Sequence, residues 1–369
     1  MSMSLKFTPK FSFHLGTLNR WIVLFLLLPF LTACTNSEKE RAIDLPNGKK
    51  AFFLSQNQAK IAIAKDEKEN FFDLVSFTDI EIQTKIALPD SAKRGKVIAD
   101  YKTALQDDVL AFTREDKDFI APILKELGKL IGQLSKGLID TDIKLIKIGG
   151  RYYGPSIFYT RENCIIIPKY ELMKRDERTM KSILAHEFFH IYTRYHPEKR
   201  KELYKMIGFK PLGVDLDQLE MPENLRNSIL LNPDGVDYLN YITLVNKETG
   251  EKVDCIFLSS SNFHQFATTN TSYFPHLSTN FYPIERKEDG GYIVKTTESG
   301  GSPLEIQPLI ESLFDQISNN TLYIIHPDEI LADNFALLIA STSEELDKAR
   351  ENDKLDLLNR MESIISGED

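Results

Sequence analysis

His186-Glu187-Phe188-Phe189-His190 is the stretch whose reading decides the fold. Side chains four residues apart stand one above the other on an α-helix, so both imidazoles can reach one metal ion. Glu187 adjoins the first of them, where a carboxylate can take a proton from an attacking water. Phe188 and Phe189 fill the free positions with apolar bulk, which suits a helix buried behind a cleft. Upstream, Arg178 to Ala185 contains no Gly or Pro, and Ile183, Leu184, Phe188 and Ile191 recur at helical spacing. The pattern predicts a helix from about Asp176 to Tyr195, stopped by His196-Pro197.

This run resembles that of the zincin metallopeptidases, and the resemblance spans Asn163 to His196 and Leu322 to Leu338. It implies a Zn²⁺ ion held by His186, His190 and a third residue, with the fourth position open and Glu187 as catalytic base. Two candidates compete for the third place. One is Glu329, in His326-Pro327-Asp328-Glu329, where Pro327 suits a first helical turn and Ile330, Leu331, Leu337 and Leu338 supply an apolar face. Asp333 follows Glu329 by one turn. That pair resembles the gluzincin arrangement, which implies that Asp333 orients His186 from behind, fixing its tautomer. The other candidate is His196, at the ligand spacing of the metzincins. There the chain breaks at a glycine, whereas this sequence has Thr193. On an unbroken helix ten residues carry His196 about 15 Å along the axis, out of reach. The balance falls on Glu329.

The surrounding pattern implies an α+β fold, zincin-like. In it a small mixed sheet packs on the metal-binding helix and on a backing helix, with a second helix carrying Glu329. Phe119 to Leu138 has the apolar stripe of that backing helix. Three strands are expected, at Ile143 to Ile148, Ser156 to Thr160 and Asn163 to Pro168. The resemblance places the last of them at the sheet edge, paired with an extended substrate. The expected organisation is residues 1–33 as a signal segment, 34–114 as a tether and accessory region, and 115–369 as the main domain.

A long insertion at about 210–320 interrupts that domain. A helix is expected just before it, at Glu198 to Met206, and within it strands at Tyr238 to Val245, Val253 to Leu258 and Tyr292 to Thr296, with a loop-rich stretch from Ser259 to Pro283. Such a length can cover the cleft and restrict the substrate. Peptide hydrolysis also needs a donor facing the oxyanion. His264, His276, Tyr273 and His326 are candidates, and the sequence does not choose among them.

The N-terminus reads as a targeting segment. Lys6, Lys10 and Arg20 precede the apolar run Trp21 to Phe30, which is too short to span a bilayer at ~20 residues per crossing. Leu31-Thr32-Ala33-Cys34 resembles the lipobox of bacterial lipoproteins. That implies cleavage before Cys34, acylation of its thiol, and a place in the cell envelope outside the cytoplasm, with Thr35 favouring an outer membrane. The chain carries a formal charge of -9, and its first 33 residues hold three cations and no anion, so the remainder carries -12. So acidic a chain argues against nucleic acid as a partner and against electrostatic docking on anionic lipid. The expected partners are a peptide or protein substrate and the lipid bilayer. Cys164 and Cys255 could pair, and spacing alone leaves that open. The rival reading is an inactive zincin-like lipoprotein that binds zinc or peptide without hydrolysis.

Overall fold

Two neighbouring strands with aliphatic side chains on both faces hold the centre of the molecule together. In the computed structural model, which describes residues 42–89, 91–261, 273–341 and 355–367, these are β4 (Ile143–Ile148) and β6 (Cys164–Pro168). They run parallel, with Leu145 opposite Ile165 and Ile146 opposite Ile166. Along β4, Ile143 and Leu145 face one core while Ile146 and Ile148 face another, and β6 divides in the same way. A strand buried on both sides reads as a near-continuous apolar run, which is what makes both strands legible.

The rest of this sheet is assembled around that pair. One edge of β4 is shared between β2 (Lys50–Phe53), which runs parallel to it, and β3 (Val109–Leu110), which runs antiparallel. β1 (Ala42–Asp44) lies outside β2. Residues expected to be accessory thus supply three strands of this sheet, and residues 40–369 form one compact unit. On the far side β5 (Tyr159–Arg161) turns back onto β6 through Glu162, which adopts a positive φ of 54°. The edge therefore belongs to β5. The strand directly before the motif helix, expected at the edge, is interior, because its aliphatic residues are wanted by both cores.

Four helices pack against one face: α1 (Gln56–Ile63), α2 (Phe71–Leu74), α3 (Phe77–Thr84) and α4 (Arg94–Asp107). Ser55 caps α1 through a reciprocal bond pair with Gln58. The other face is covered by the backing helix α5 (Arg114–Leu134). Thr113 and Asp116 cap its start, four to five residues before the apolar stripe suggests.

After α6 (Lys169–Lys174) comes the motif helix α7 (Glu177–Tyr195), then α8 (Pro197–Met206). A second sheet follows, in the order β7 (Phe209–Pro211), β9 (Asn240–Val245), β10 (Lys252–Ser261), β11 (Leu277–Arg286), β12 (Tyr292–Val294) and β8 (Leu219–Glu220). It is antiparallel except between β12 and β8. β11 occupies part of the stretch expected to be loop. Its pairing with β10, Phe281 opposite Phe257, supplies what local propensity does not. A short helix, α9 (Glu223–Ser228), precedes β9, and α10 (Ile310–Ile317), α11 (Pro327–Ala340) and α12 (Leu355–Ser366) complete the chain.

Cys164 and Cys255 are both free and buried, in different apolar cores. Among the described residues no helix is long and apolar enough to cross a membrane.

Candidate metal centre

α7 begins where Asp176 accepts a hydrogen bond from Thr179 N at 3.1 Å and ends at His196, which Pro197 forces out of helical geometry. From Leu184 to Arg194 every residue is buried except His186, which is half-buried and lines a cleft. α11 starts with Pro327 in its first turn and His326 as its cap, whose Nδ1 accepts from Asp328 N. Apolar packing then brings the two helices together. Phe335 of α11 lies 5.3 Å from Phe189 and 6.3 Å from Phe188, ring centre to ring centre. Each such buried ring contributes on the order of 1.5–3 kcal/mol. The two aromatic residues between the histidines thus fix the distance at which the polar faces of the helices meet.

On those faces His186, His190 and Glu329 converge, with one ligand atom from each lying within 4.8 Å of the others. Glu329 Oε2 is 3.0 Å from His186 Nε2 and 3.6 Å from His190 Nε2. Asp333 Oδ1 accepts from His186 Nδ1 at 2.8 Å, which leaves the Nε2 lone pair directed at the centre. Thr321 Oγ1 donates to the other oxygen of Asp333, and Asn232 Nδ2 donates to Glu329 Oε1 at 2.7 Å. Neither nitrogen of His190 has a hydrogen-bond partner among the described residues, although that side chain is fully buried. Glu187 Oε2 is equally buried and equally unpartnered.

The electrostatics are those of a cation site. Burial opposes charge on His186, but the bonds to Asp333 and Glu329 outweigh it and hold the imidazole well above its ordinary range. For His190, burial is likewise outweighed, by Glu329 and Asp234, and the ring is pushed up to about 9. Burial also opposes charge on Glu329, yet His190 and His186 hold its carboxyl well below the usual range. Glu187 moves the other way, to about 8, because burial and then the Asp234 carboxylate both disfavour its charge. A divalent ion among these atoms would reverse that order, keeping the imidazoles neutral and Glu187 ionised.

The other predicted residues lie elsewhere. His196 bonds Tyr192 O at 2.8 Å and Asp140 Oδ2 at 2.9 Å, at the junction of α7 and α8 and away from the cluster. His326 spends both nitrogens holding the start of α11, Nε2 donating to Asp237 O at 3.1 Å. Tyr273 is buried with its ring 5.0 Å from that of Tyr153 and lines an adjoining cavity, and His276 is buried beside it in sequence, off the cleft. His264 and Cys34 lie outside the described residues.

Three residues at the centre carried no signal in the sequence. Tyr323 lines the cleft with its ring 6.5 Å from His186, and burial, with Glu329, Asp234 and Glu187 nearby, holds its phenol far above the ordinary range. Asn232 and Asp234 come from Asn232-Pro233-Asp234-Gly235, a stretch with the composition of an ordinary turn. Asp234 lines the cleft of about 280 Å³ together with Ser156, Phe158, His186, Glu187 and Glu329. Comparison of the chain with protein-family models, with curated proteins and with solved structures found no match.

Proposed function

We propose that this chain is a zinc-dependent metallopeptidase of zincin-like architecture, tethered at the bacterial cell envelope through an acylated Cys34. The observation that carries the reading is the orphaned polar set. A fully buried imidazole with no hydrogen bond among the described residues, a second imidazole oriented by a carboxylate, and a carboxylate at 3.0 Å from the second and 3.6 Å from the first make one coherent ligand group. Two nitrogens and one oxygen suit zinc, and the opening at His186 leaves room for substrate. Zinc bound there supplies a Lewis acid that polarises a carbonyl and makes water a better nucleophile.

The chain's own residues supply the rest. Glu187 has a free buried oxygen in the same cleft and would take the water's proton, then return it to the leaving amine. Tyr323 keeps its phenolic proton and is the donor best placed to face a developing oxyanion. Asp333 holds His186, Asn232 holds Glu329, and Phe188 and Phe189 exclude water from behind.

Zinc content and peptide cleavage, measured on the protein and its variants, test this. Glu187→Gln is expected to keep zinc and lose activity, Glu329→Ala to lose zinc, and His196→Ala to change neither. Zinc retained by a His186→Ala/His190→Ala double variant would overturn the site. A zinc-loaded wild type that cleaves no peptide would favour a binding protein over an enzyme.

A further inference from the structure

The sheet edge beside the metal centre is closed at one point, and the closure is made by a carboxylate. β5 is the outermost strand, and an open edge offers backbone groups to an extended chain. Ser156, Ile157 and Phe158, just ahead of β5, line the cleft. At Thr160 the outward N–H is already spent: it donates to Asp234 Oδ1, which also accepts from Thr160 Oγ1 at 2.7 Å. The groove along β5 therefore stops at Thr160.

The stop is firmly held. Arg194 Nη2 donates to Asp234 O at 3.0 Å, Asn232 is tied to Glu329, and a side chain at Gly235 would come within 2.2 Å of Asp328 Oδ2. Asp234 is only 6% exposed, and its Oδ2 makes no hydrogen bond among the described residues while the residue forms part of the cleft wall. A carboxylate oxygen with no hydrogen bond, on a residue that forms part of a cleft wall, calls for a donor, and a cationic one best of all.

Direction follows from sign. A peptide laid antiparallel to β5 has its amino end at Thr160 and Asp234. Laid parallel, its carboxylate would meet Asp234 and be repelled. We infer that Asp234 holds the free α-ammonium group of the substrate, so that the enzyme removes one or two residues from amino termini and does not cut within chains. This rests on the peptidase reading and narrows its substrate class to peptides with an unblocked amino end.

The test uses the full zinc-loaded chain and a degenerate decapeptide pool, prepared with free and with N-acetylated amino termini. Products are read by mass spectrometry, and retention of both pools on immobilised Glu187→Gln protein gives a binding readout. The expected result is release of amino-terminal residues from the free pool, with the acetylated pool cut and retained at least tenfold less. Asp234→Asn should bring the two pools within a few-fold of each other with its zinc content unchanged. Internal cleavage of the acetylated pool at the rate of the free pool would sink the inference and leave the peptidase reading standing. Amine-selective retention without cleavage by the wild type would sink the peptidase reading, and with it the trimming of amino termini, and leave Asp234 only as the partner of a bound amine. Neither retention nor cleavage of either pool would overturn both.

Discussion

His190 and Arg194 sit one turn apart on α7, are almost equally buried, and are treated in opposite ways by the fold. Every donor group of Arg194 is engaged: Nε reaches Glu69 Oε2 at 2.7 Å, Nη1 reaches Glu162 O at 2.9 Å, and Nη2 reaches Asp234 O. Arg200 of α8 adds a second bond to Glu69, at 2.8 Å, and lies 3.9 Å from Asp328 at the start of α11. His190 has no such company. An unpartnered buried polar group costs about 1–3 kcal/mol, so a fold that satisfies one residue so fully and leaves its neighbour bare is specialised at the second. The far turn of α7 clamps the scaffold, and the near turn carries the group that could hold a metal ion.

That contrast can be broken in several places. The largest effect should come from Glu187→Gln, lowering kcat by roughly 10²–10⁴ while leaving the unfolding midpoint of the metal-free protein unlowered, because burial already keeps that carboxyl uncharged at neutral pH and glutamine matches its shape. A fall in the midpoint to match the fall in activity would show that the near turn is structural as well. Arg194→Met should do the converse, costing on the order of 3–5 kcal/mol in urea unfolding because Glu69 keeps only Arg200 and two carbonyls lose their donor. If this variant unfolds at the wild-type urea concentration, the clamp is not one.

Asp79 is an intermediate case, buried and bonded to Gln83 Nε2 at 2.8 Å and Leu231 N at 3.0 Å, with its pKa raised to about 6, chiefly by burial. A carboxyl raised in the fold binds more protons there than in the unfolded chain. Its stabilising contribution is therefore complete below about pH 4 and is lost as pH rises through about 6, a change of up to about 3 kcal/mol. Unfolding free energies of metal-free wild type and Asp79→Asn, compared from pH 4 to 7, should diverge over that window, and parallel curves would exclude the effect. The smallest change belongs to His196→Ala, whose partner Asp140 is half exposed. It should cost less than about 1 kcal/mol and leave the metal content untouched, as equilibrium dialysis would register.

What the sequence disclosed was local. α7 could be bounded to within a residue because Asp176 and Pro197 act within one turn of its ends, and β4 because its aliphatic pattern needs no partner to be recognised. Glu329 and Asp333 were legible as a pair for the same reason. Tyr323, Asn232 and Asp234 were not, since nothing in their own neighbourhoods distinguishes a residue facing a metal from one in an ordinary turn. They join the cluster only when the chain brings Asn232 to Glu329, ninety-seven residues on, and Asp234 back to Thr160, seventy-four residues earlier. β11 stayed hidden likewise, because its strand character comes from β10.

The shared edge of β4 sets an order of events in folding. Ala51 pairs with Ile143 in a parallel ladder, so a loop of about ninety residues must close before that half of β4 has a neighbour, and such closures are slow. During synthesis β2 is made first and waits. β6 and α7 emerge only after β4, and α11 later still. Until then Ile143 and Leu145 present an open edge to any passing chain, which makes this interval the one in which aggregation competes with folding. The histidines therefore meet Glu329 at the end of the pathway, so an ion held there would be captured by a finished fold and would not nucleate one.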